Sequence, residues 1–325
     1  MRGRSDSAMI DIEAVIIGGG PAGSTCAWKL RQGGVDAAIL DQYEFPRHKL
    51  CAGWVTPRVV RDLALDASSH PGLYTFDRLH YHFYGHRLTL KTRQYAIRRY
   101  KFDAWLLQRS AAPFYQHKVR KIRQENGRYI IDDAYRCTYL IGAGGTNCPV
   151  YRTFFKTINP RAKTQQIVSL EEEFEYEVQD PNCYLWFFDN GLPGYAWYVP
   201  KGENYLNIGI GGKAAALAAR GETIQAHWNL LTEKLEQLGL VLGQTYQPKG
   251  HHYHLSEKVR NGQLGNVFIV GDAAGLATKD MGEGIGPAVE SAILAAEAIL
   301  QRKPYSLRSV TRFSAGELFK GLFNK

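Results

Sequence analysis

Apolar residues along this chain follow two different periods, and the change between them divides it. Residues 12–17 form a short β-branched apolar run, the pattern of a buried parallel strand. Gly18-Gly19-Gly20-Pro21-Ala22-Gly23 comes next, then a helical segment to about Gln32 that Gly33-Gly34 stops. A second strand over residues 37–40 leads to Asp41. From residue 164 to 178 the chain alternates instead. Glu171, Glu173, Glu175 and Glu177 fall on one side, and Phe174, Tyr176 and Val178 on the other. That period of two predicts a half-buried antiparallel strand with a solvated face. Residues 184–188, a turn at Asp189-Asn190-Gly191, residues 195–199, a turn at 201–204 and residues 205–210 continue it as a meander. Ile224, Trp228, Leu231, Leu235 and Leu238 recur at helical spacing, with Gly239 placed to end the helix and Trp228 assigned to the core. Buried-strand character returns over residues 267–270, and residues 287–300 predict an alanine-rich helix with Pro287 in its first turn.

The pattern predicts an α/β fold: a Rossmann-type dinucleotide-binding domain with an inserted antiparallel β-sheet domain of α+β character. The first is discontinuous, over residues 8–75, 96–158 and 259–325; the second takes residues 76–95 and 159–258. A chain of 325 residues is long enough for both, and 45% hydrophobic with 22% charged residues is ordinary for a soluble protein. No apolar run is long enough to span a bilayer, and residues 1–11 lack the apolar core of a secretory signal, so a cytoplasmic location is expected. Five scattered cysteines form no CxxC pair, which predicts reduced thiols and neither a disulfide framework nor a zinc cluster. His251-His252-Tyr253-His254 lacks the carboxylate or cysteine spacing of a metal site and reads as a strand; no metal is expected.

Charge changes the picture more. The net charge is +9, and Arg98, Arg99, Lys101, Arg120, Lys121 and Arg123 fall within one crowded basic stretch. Without a nucleic-acid motif, the bias fits a phosphorylated cofactor with an anionic substrate or membrane surface, or a generally basic surface. Phe313, Leu318, Phe319, Leu322 and Phe323, interspersed with Arg312, Lys320 and Lys325, predict a helix packed on its own domain, with a membrane-surface or partner-binding helix as the competing reading.

The chemistry begins at Gly18-x-Gly20-x-x-Gly23. Gly18 permits the tight turn, Gly20 lets a pyrophosphate approach the backbone, and Gly23 lets helix and strand pack closely. Pro21 and Ala22 open the helix whose free amides and dipole meet the phosphates. Asp41, about twenty residues on, stands where an acid accepts hydrogen bonds from a ribose. A second glycine-rich pair, Gly271-Asp272-Ala273-Ala274-Gly275 and Gly282-Glu283-Gly284-Ile285-Gly286, follows the last predicted strand.

With that pair the sequence resembles the FAD-dependent aromatic hydroxylases and geranylgeranyl reductases. The resemblance implies FAD as cofactor. It places Asp272 on the ribityl side, and Gly282, Gly284 and Ile285 at a helix start beside the isoalloxazine ring. Two further stretches resemble the geranylgeranyl reductase branch. Phe45-Pro46-Arg47-His48-Lys49-Leu50-Cys51-Ala52-Gly53 is similar to its cysteine loop along the flavin, and Pro193-Gly194-Tyr195-Ala196-Trp197-Tyr198-Val199-Pro200-Lys201-Gly202 to the aromatic motif lining its substrate cavity. Arg99-Tyr100-Lys101-Phe102-Asp103 is similar to its Arg-x-x-Phe-Asp element. The resemblance thus implies cofactor contacts from Arg47, Cys51, Ala52, Arg99 and Val119, and substrate contacts from Tyr195 and Trp197.

Three departures stand out. Ala52 replaces a second glycine in the cysteine loop. Gly144, within Ile141–Cys148, stands where the family carries an aspartate associated with nicotinamide use. The chain also ends soon after the Pro287 helix, where relatives often continue, so a wall of the cavity is expected to be either missing or supplied by a partner or membrane. The electron donor is left between NAD(P)H and a redox protein.

Cys51 is the candidate catalytic residue: a thiol over the flavin would supply the proton that completes reduction of a double bond. Arg47, His48 and Lys49 beside it favour the thiolate, and loop packing is the competing account. The expected function is an FAD-dependent reduction of carbon–carbon double bonds in an isoprenoid or other hydrophobic or lipid substrate. The alternatives are a flavin monooxygenase or halogenase, and a flavin-binding protein without turnover.

Overall fold

A computed structural model of the chain describes residues 9–66, 70, 72–257, 259 and 261–315. In chain order its strands are β1 (Ile10–Ile17), β2 (Ala37–Asp41), β3 (Trp54–Val55), β4 (Tyr74–Phe83), β5 (His86–Ala96), β6 (Phe114–Gln116), β7 (Ile122–Glu125), β8 (Arg128–Ile131), β9 (Tyr135–Gly142), β10 (Gln166–Glu175), β11 (Cys183–Phe187), β12 (Gly194–Lys201), β13 (Tyr205–Lys213), β14 (Lys249–His254), β15 (Gln263–Leu264) and β16 (Val267–Ile269). The helices are α1 (Pro21–Gln32), α2 (Pro57–Asp62), α3 (Arg99–Ser110), α4 (Ala214–Ala219), α5 (Ile224–Gln237) and α6 (Ile285–Leu300).

The first sheet runs β15-β16-β9-β1-β2-β6, with the β7–β8 hairpin attached to β9. Its central pairings, β1 with β2 and with β9, β2 with β6 and β9 with β16, are all parallel. Parallel strands need crossovers, and α1 and α6 cover one face of the sheet. Cys26, Ala27 and Leu30 of α1 and Ala292, Ala295, Ala296 and Ile299 of α6 share one buried cluster with Ile16 and Ile39. Small side chains let these helices approach closely, so the alanine-rich composition of α6 is a packing requirement. The fold is the α/β Rossmann type with a second, mostly antiparallel layer.

The second sheet runs β14-β10-β13-β12-β11-β4-β5-β3. The meander of β10 to β13 pairs antiparallel, but β11 meets β4 in parallel, which brings the β4–β5 hairpin into the same sheet. One face carries Tyr184, Trp186, Ala196, Tyr198, Ile208 and Ile210 and packs under Trp228, Leu231 and Leu235 of α5. On the other face, Ser169, Gly211, Tyr195, Phe187 and Phe83 form one register row, and Glu171, Gly209, Trp197, Leu185 and Tyr81 the next. We propose dividing the chain into domains along these two sheets; the two residues of β3 bond across into the second.

One expectation is corrected here. The strand over residues 166–175 exists, but its acidic side is not a solvated face throughout. Glu171 is only 3% exposed, because that side faces the interior between the layers. A period of two says which residues share a side, not which side a second layer covers. The predicted C-terminal helix falls, beyond Ala315, outside the described residues; Phe313 lies within them and is exposed.

Candidate functional site

The turn between β1 and α1 is built by three glycines with three different constraints. Gly18 has φ +111°, and a Cβ there would lie 2.4 Å from the Ala143 carbonyl oxygen. A Cβ on Gly23 would lie 1.8 Å from the Gly18 carbonyl oxygen, so its bare backbone sets how closely α1 sits on β1. A Cβ on Gly20 would meet nothing nearer than Arg47 Nη2 at 3.6 Å, so the open space of the turn is at this residue. Pro21 begins α1, no acid occupies its first turn and no side chain caps its amides, which leaves them free for an anion. Asp41, at the end of β2, accepts from the Gly19 amide at 2.7 Å and the Tyr43 amide at 3.0 Å. It therefore braces the glycine turn while keeping lone pairs for a ligand hydroxyl. Asp41→Ala is expected to weaken FAD binding about tenfold by removing charge-assisted hydrogen bonds; flavin fluorescence titration of the apoprotein would show it, and an unchanged affinity would exclude the bracing role.

This turn opens into a cavity of about 780 Å³. Its walls include Gly18, Gly20, Pro21, Ala22, Asp41, Arg47, Cys51, Ala52, Arg99, Val119, Asp272, Gly282, Gly284 and Ile285, together with Tyr195 and Trp197. Of the candidate cofactor, substrate and catalytic contacts, Gly23 does not line it; it lies beneath, in the helix–strand contact. The volume is near the upper end of small-molecule sites, about 300–1,000 Å³, as a dinucleotide with a second ligand requires. Two observations fit an anionic dinucleotide. Gly20 leaves a backbone cradle that any side chain would invade, and the buried Nε of Arg47 has no hydrogen-bond partner among the described residues. The second glycine segment is equally constrained: Gly282 has φ +60°, and a Cβ would lie 2.4 Å from the Tyr253 hydroxyl.

Residues 47–54 of the cysteine loop line the cavity. Cys51 is half-buried, and its Sγ accepts from the Gly53 amide at 3.4 Å. Gly53 has φ +67°, and Lys201 sits directly behind it, fully buried, donating to the Ile97 carbonyl at 2.8 Å. Arg99 lies beside Cys51 and spends its planar fork on Asp103, at 2.6 and 2.7 Å. The Asp103 carboxylate, with burial opposing it, keeps Arg99 firmly charged.

The far wall is the inner face of the second sheet. Tyr195 and Trp197 turn their rings to the cavity with their polar atoms already satisfied: the Tyr195 hydroxyl donates to the Met281 carbonyl, and Trp197 Nε1 donates to Asn207 at 2.7 Å. A Cβ on Gly209 would lie 2.2 Å from the Trp197 ring, so the indole lies flat over bare backbone.

Sequence reasoning missed a polar group on this wall. Lys49 Nζ lies 3.0 Å from His251 Nε2, and Glu171, Ser169 and Tyr253 line the cavity beside them. Burial, then the Lys49 charge, pushes His251 down to about 4, so the ring is neutral and accepts from the ammonium. Burial pushes the Glu171 carboxyl up to about 7, against the pull of Lys201 and Lys49. Lys49 was visible within the cysteine loop, while Glu171 and His251 were read only as strand residues, because nothing local marks them as cavity groups.

Fold and site together define a dinucleotide-binding oxidoreductase of the flavoprotein class. Residues 16–86 match the NAD(P)-binding Rossmann-like domain family. An uncharacterized protein of Methanosarcina barkeri is 31% identical, over 97% of this chain and 82% of its own length. Digeranylgeranylglycerophospholipid reductase 1 of Methanopyrus kandleri is 24% identical over 90% of this chain and 81% of its own length. A geranylgeranyl bacteriochlorophyll reductase-like structure from Thermoplasma acidophilum superposes with a TM-score of 0.76 and 20% identity, over 96% of this chain and 82% of that one. The chain belongs to the same family as the Methanosarcina barkeri protein, and its fold is that of FAD-dependent oxidoreductases, geranylgeranyl reductase-like proteins among them.

Proposed function

We propose that this protein reduces carbon–carbon double bonds in an isoprenoid or similarly hydrophobic lipid. The observation that carries the reading is the continuity of one cavity, from the Gly18–Gly23 turn, past Cys51, to the aromatic face of Tyr195 and Trp197. Gly18, Gly20, Pro21, Ala22, Asp41, Arg47 and Val119 would hold the nucleotide half of FAD. Ala52, Arg99, Asp272, Gly282, Gly284 and Ile285 would hold the ribityl and ring half. Bound there, FAD supplies the hydride equivalent. Tyr195 and Trp197 hold an apolar chain against the cofactor end and keep water out, since neither has a polar atom free to attract it. Cys51 Sγ is the proton donor we assign to the second carbon. The electrons come from NAD(P)H or a redox protein.

The test is anaerobic reoxidation of the chemically reduced protein, followed in the flavin absorption bands as a geranylgeranyl lipid is added. Return of the bands before air is admitted is the expected result. Bands that stay bleached until oxygen enters would replace this reading with the oxygen chemistry of monooxygenases and halogenases. Bands that neither lipid nor oxygen restores would mean flavin binding without turnover. In the same assay Cys51→Ala is expected to slow reoxidation per bound flavin; an unchanged rate would end the proton-donor role.

A further inference from the structure

The aromatic face that lines the cavity does not stop at its edge. From Tyr195 the row continues through Phe187, stacked on it at 4.9 Å, to Phe83. From Trp197 it continues through Leu185 to Tyr81 and then Leu88. At the end of these rows, on the β4–β5 hairpin and the loop after β11, four large apolar side chains reach solvent: Phe83 is 44% exposed, Tyr84 68%, Leu88 52% and Phe188 38%. Phe83 packs edge-on against both Tyr84 and Phe188, which stack on each other at 5.4 Å.

Two of these aromatics sit where the backbone disfavours them. Tyr84 has φ +46° and Phe188 φ +54°, the left-handed region that bulky residues rarely occupy. Glycine or asparagine would relieve the strain at both turns, yet each presents an aromatic ring to solvent, where it contributes little to the core. Strain retained at an exposed surface points to a role for that surface. The hairpin is also one-sided in charge. Between Tyr74 and Ala96 it carries Arg78, Arg87, Lys91 and Arg93 against a single acid, Asp77. Strand pairing sets Arg78 opposite Lys91 and Arg87 opposite His82, on the side away from Phe83 and Leu88.

We infer that the tip formed by Phe83, Tyr84, Leu88 and Phe188 docks the protein on an anionic lipid bilayer and delivers lipid along the aromatic face to the cavity. The inference rests on the reductase reading for its lipid, and adds the surface through which that lipid arrives. Aromatic and aliphatic side chains with a cationic flank are the composition that binds the headgroup boundary. The basic flank complements the negative surface potential of such a leaflet, and its contribution falls as salt is raised. Among the described residues no helix is long and apolar enough to cross a membrane, so attachment through this tip is peripheral.

Flotation of the FAD-loaded protein with vesicles of phosphatidylglycerol and phosphatidylcholine in equal parts, against pure phosphatidylcholine, tests this. The wild type is expected to float with the anionic vesicles and release in high salt. A Tyr84→Ser, Leu88→Ser variant is expected to bind them about tenfold or more weakly. An Arg87→Gln, Lys91→Gln variant, which leaves the apolar tip intact, is expected to lose about fivefold per cation. In the reoxidation assay the serine variant should match the wild type with lipid in detergent micelles and lag with the same lipid in vesicles.

Wild type that ignores anionic vesicles, or a serine variant that floats as the wild type does, would overturn the inference. So would a serine variant whose only change is from dimer to monomer by sedimentation, since that assigns the tip to a second copy of this chain. Vesicle binding needs no turnover. Failure of the wild type to be reoxidised by lipid in either form therefore defeats the reductase reading alone, while flotation still decides the docking.

Discussion

Gly23→Val is expected to purify without flavin and to unfold at clearly lower urea concentration than the wild type. The reason is local and rigid. A Cβ at this position would lie 1.8 Å from the Gly18 carbonyl oxygen, 3.0 Å from its carbonyl carbon and 3.1 Å from Ile16 Cγ2. Two of those atoms are backbone at the end of β1, which is paired on both sides within the parallel sheet and cannot retreat. The strain must instead lift α1, and α1 is packed against α6 through small side chains with no slack. Overpacking of this kind costs about 3 kcal/mol. A displaced α1 also withdraws its free amides from the phosphate position, so FAD affinity should fall on the order of a hundredfold. Gly20→Ala separates the two effects. Its Cβ has room, so stability should hold while the methyl occupies the cradle and flavin is lost. Urea denaturation with flavin fluorescence titration measures both. Full flavin content in Gly23→Val would show that the contact is not what positions the turn.

Glu171→Gln is expected to abolish much of a fall in stability that the wild type shows between mildly acidic and mildly alkaline pH. Burial pushes the Glu171 carboxyl from its ordinary value of 4.5 up to about 7. Below the ordinary value it is protonated whether the chain is folded or unfolded, and no penalty exists. As pH rises through that window the unfolded chain releases the proton while the folded one holds it. Stability therefore falls, levelling off once the folded carboxyl has ionised above about 7. A displacement of this size corresponds to about 3 kcal/mol. Glutamine fills the same space without ionising, so the variant should match the wild type near pH 4.5 and exceed it by up to about 3 kcal/mol near pH 8. Lys201 keeps its Ile97 carbonyl and its ion pair with Glu173 in the variant, and Lys49 keeps His251, so neither lysine is left without a partner. Glu283, raised to about 7 by burial as well, titrates in both proteins and leaves a common residual slope. Parallel curves for wild type and variant, from urea melts across that range, would mean that Glu171 is ionised without penalty.

The difference between Asp41 and Glu171 shows what kind of information the chain carries. Asp41 could be read because its partner lies in the same βαβ unit: the strand ends at a set distance from the glycine turn, and the carboxylate meets the Gly19 amide. Glu171 has no such local frame. Its neighbours on the wall, Lys49 and His251, come from a loop and a strand two hundred residues apart, joined at 3.0 Å. Alternation along β10 identified the side it occupies, but that side became interior only when the first sheet closed over it. The crowding of basic residues around Arg98 to Arg123 was visible in the same limited way. Its count was legible, while the amphipathic split of the β4–β5 hairpin depends on which residues face each other across the turn.

By itself the sequence determined the parts whose physics is local. Those are the strand–glycine–helix unit with its open place at Gly20, the acid at Asp41, the second glycine segment at Gly282 to Gly286 and the antiparallel meander with Trp228 in its core. Each follows from steric limits, capping or periodicity within a few residues, and these suffice for the Rossmann-type FAD fold. Only the tertiary structure decided the parts that depend on layers meeting. It set β11 parallel to β4, turned the Tyr195–Trp197 face toward the cofactor turn, and buried Glu171 beside Lys49 and His251. It also carried the aromatic rows out to Phe83, Tyr84, Leu88 and Phe188. Those contacts join segments distant in the chain, and burial is a property of what covers a residue rather than of the residue itself.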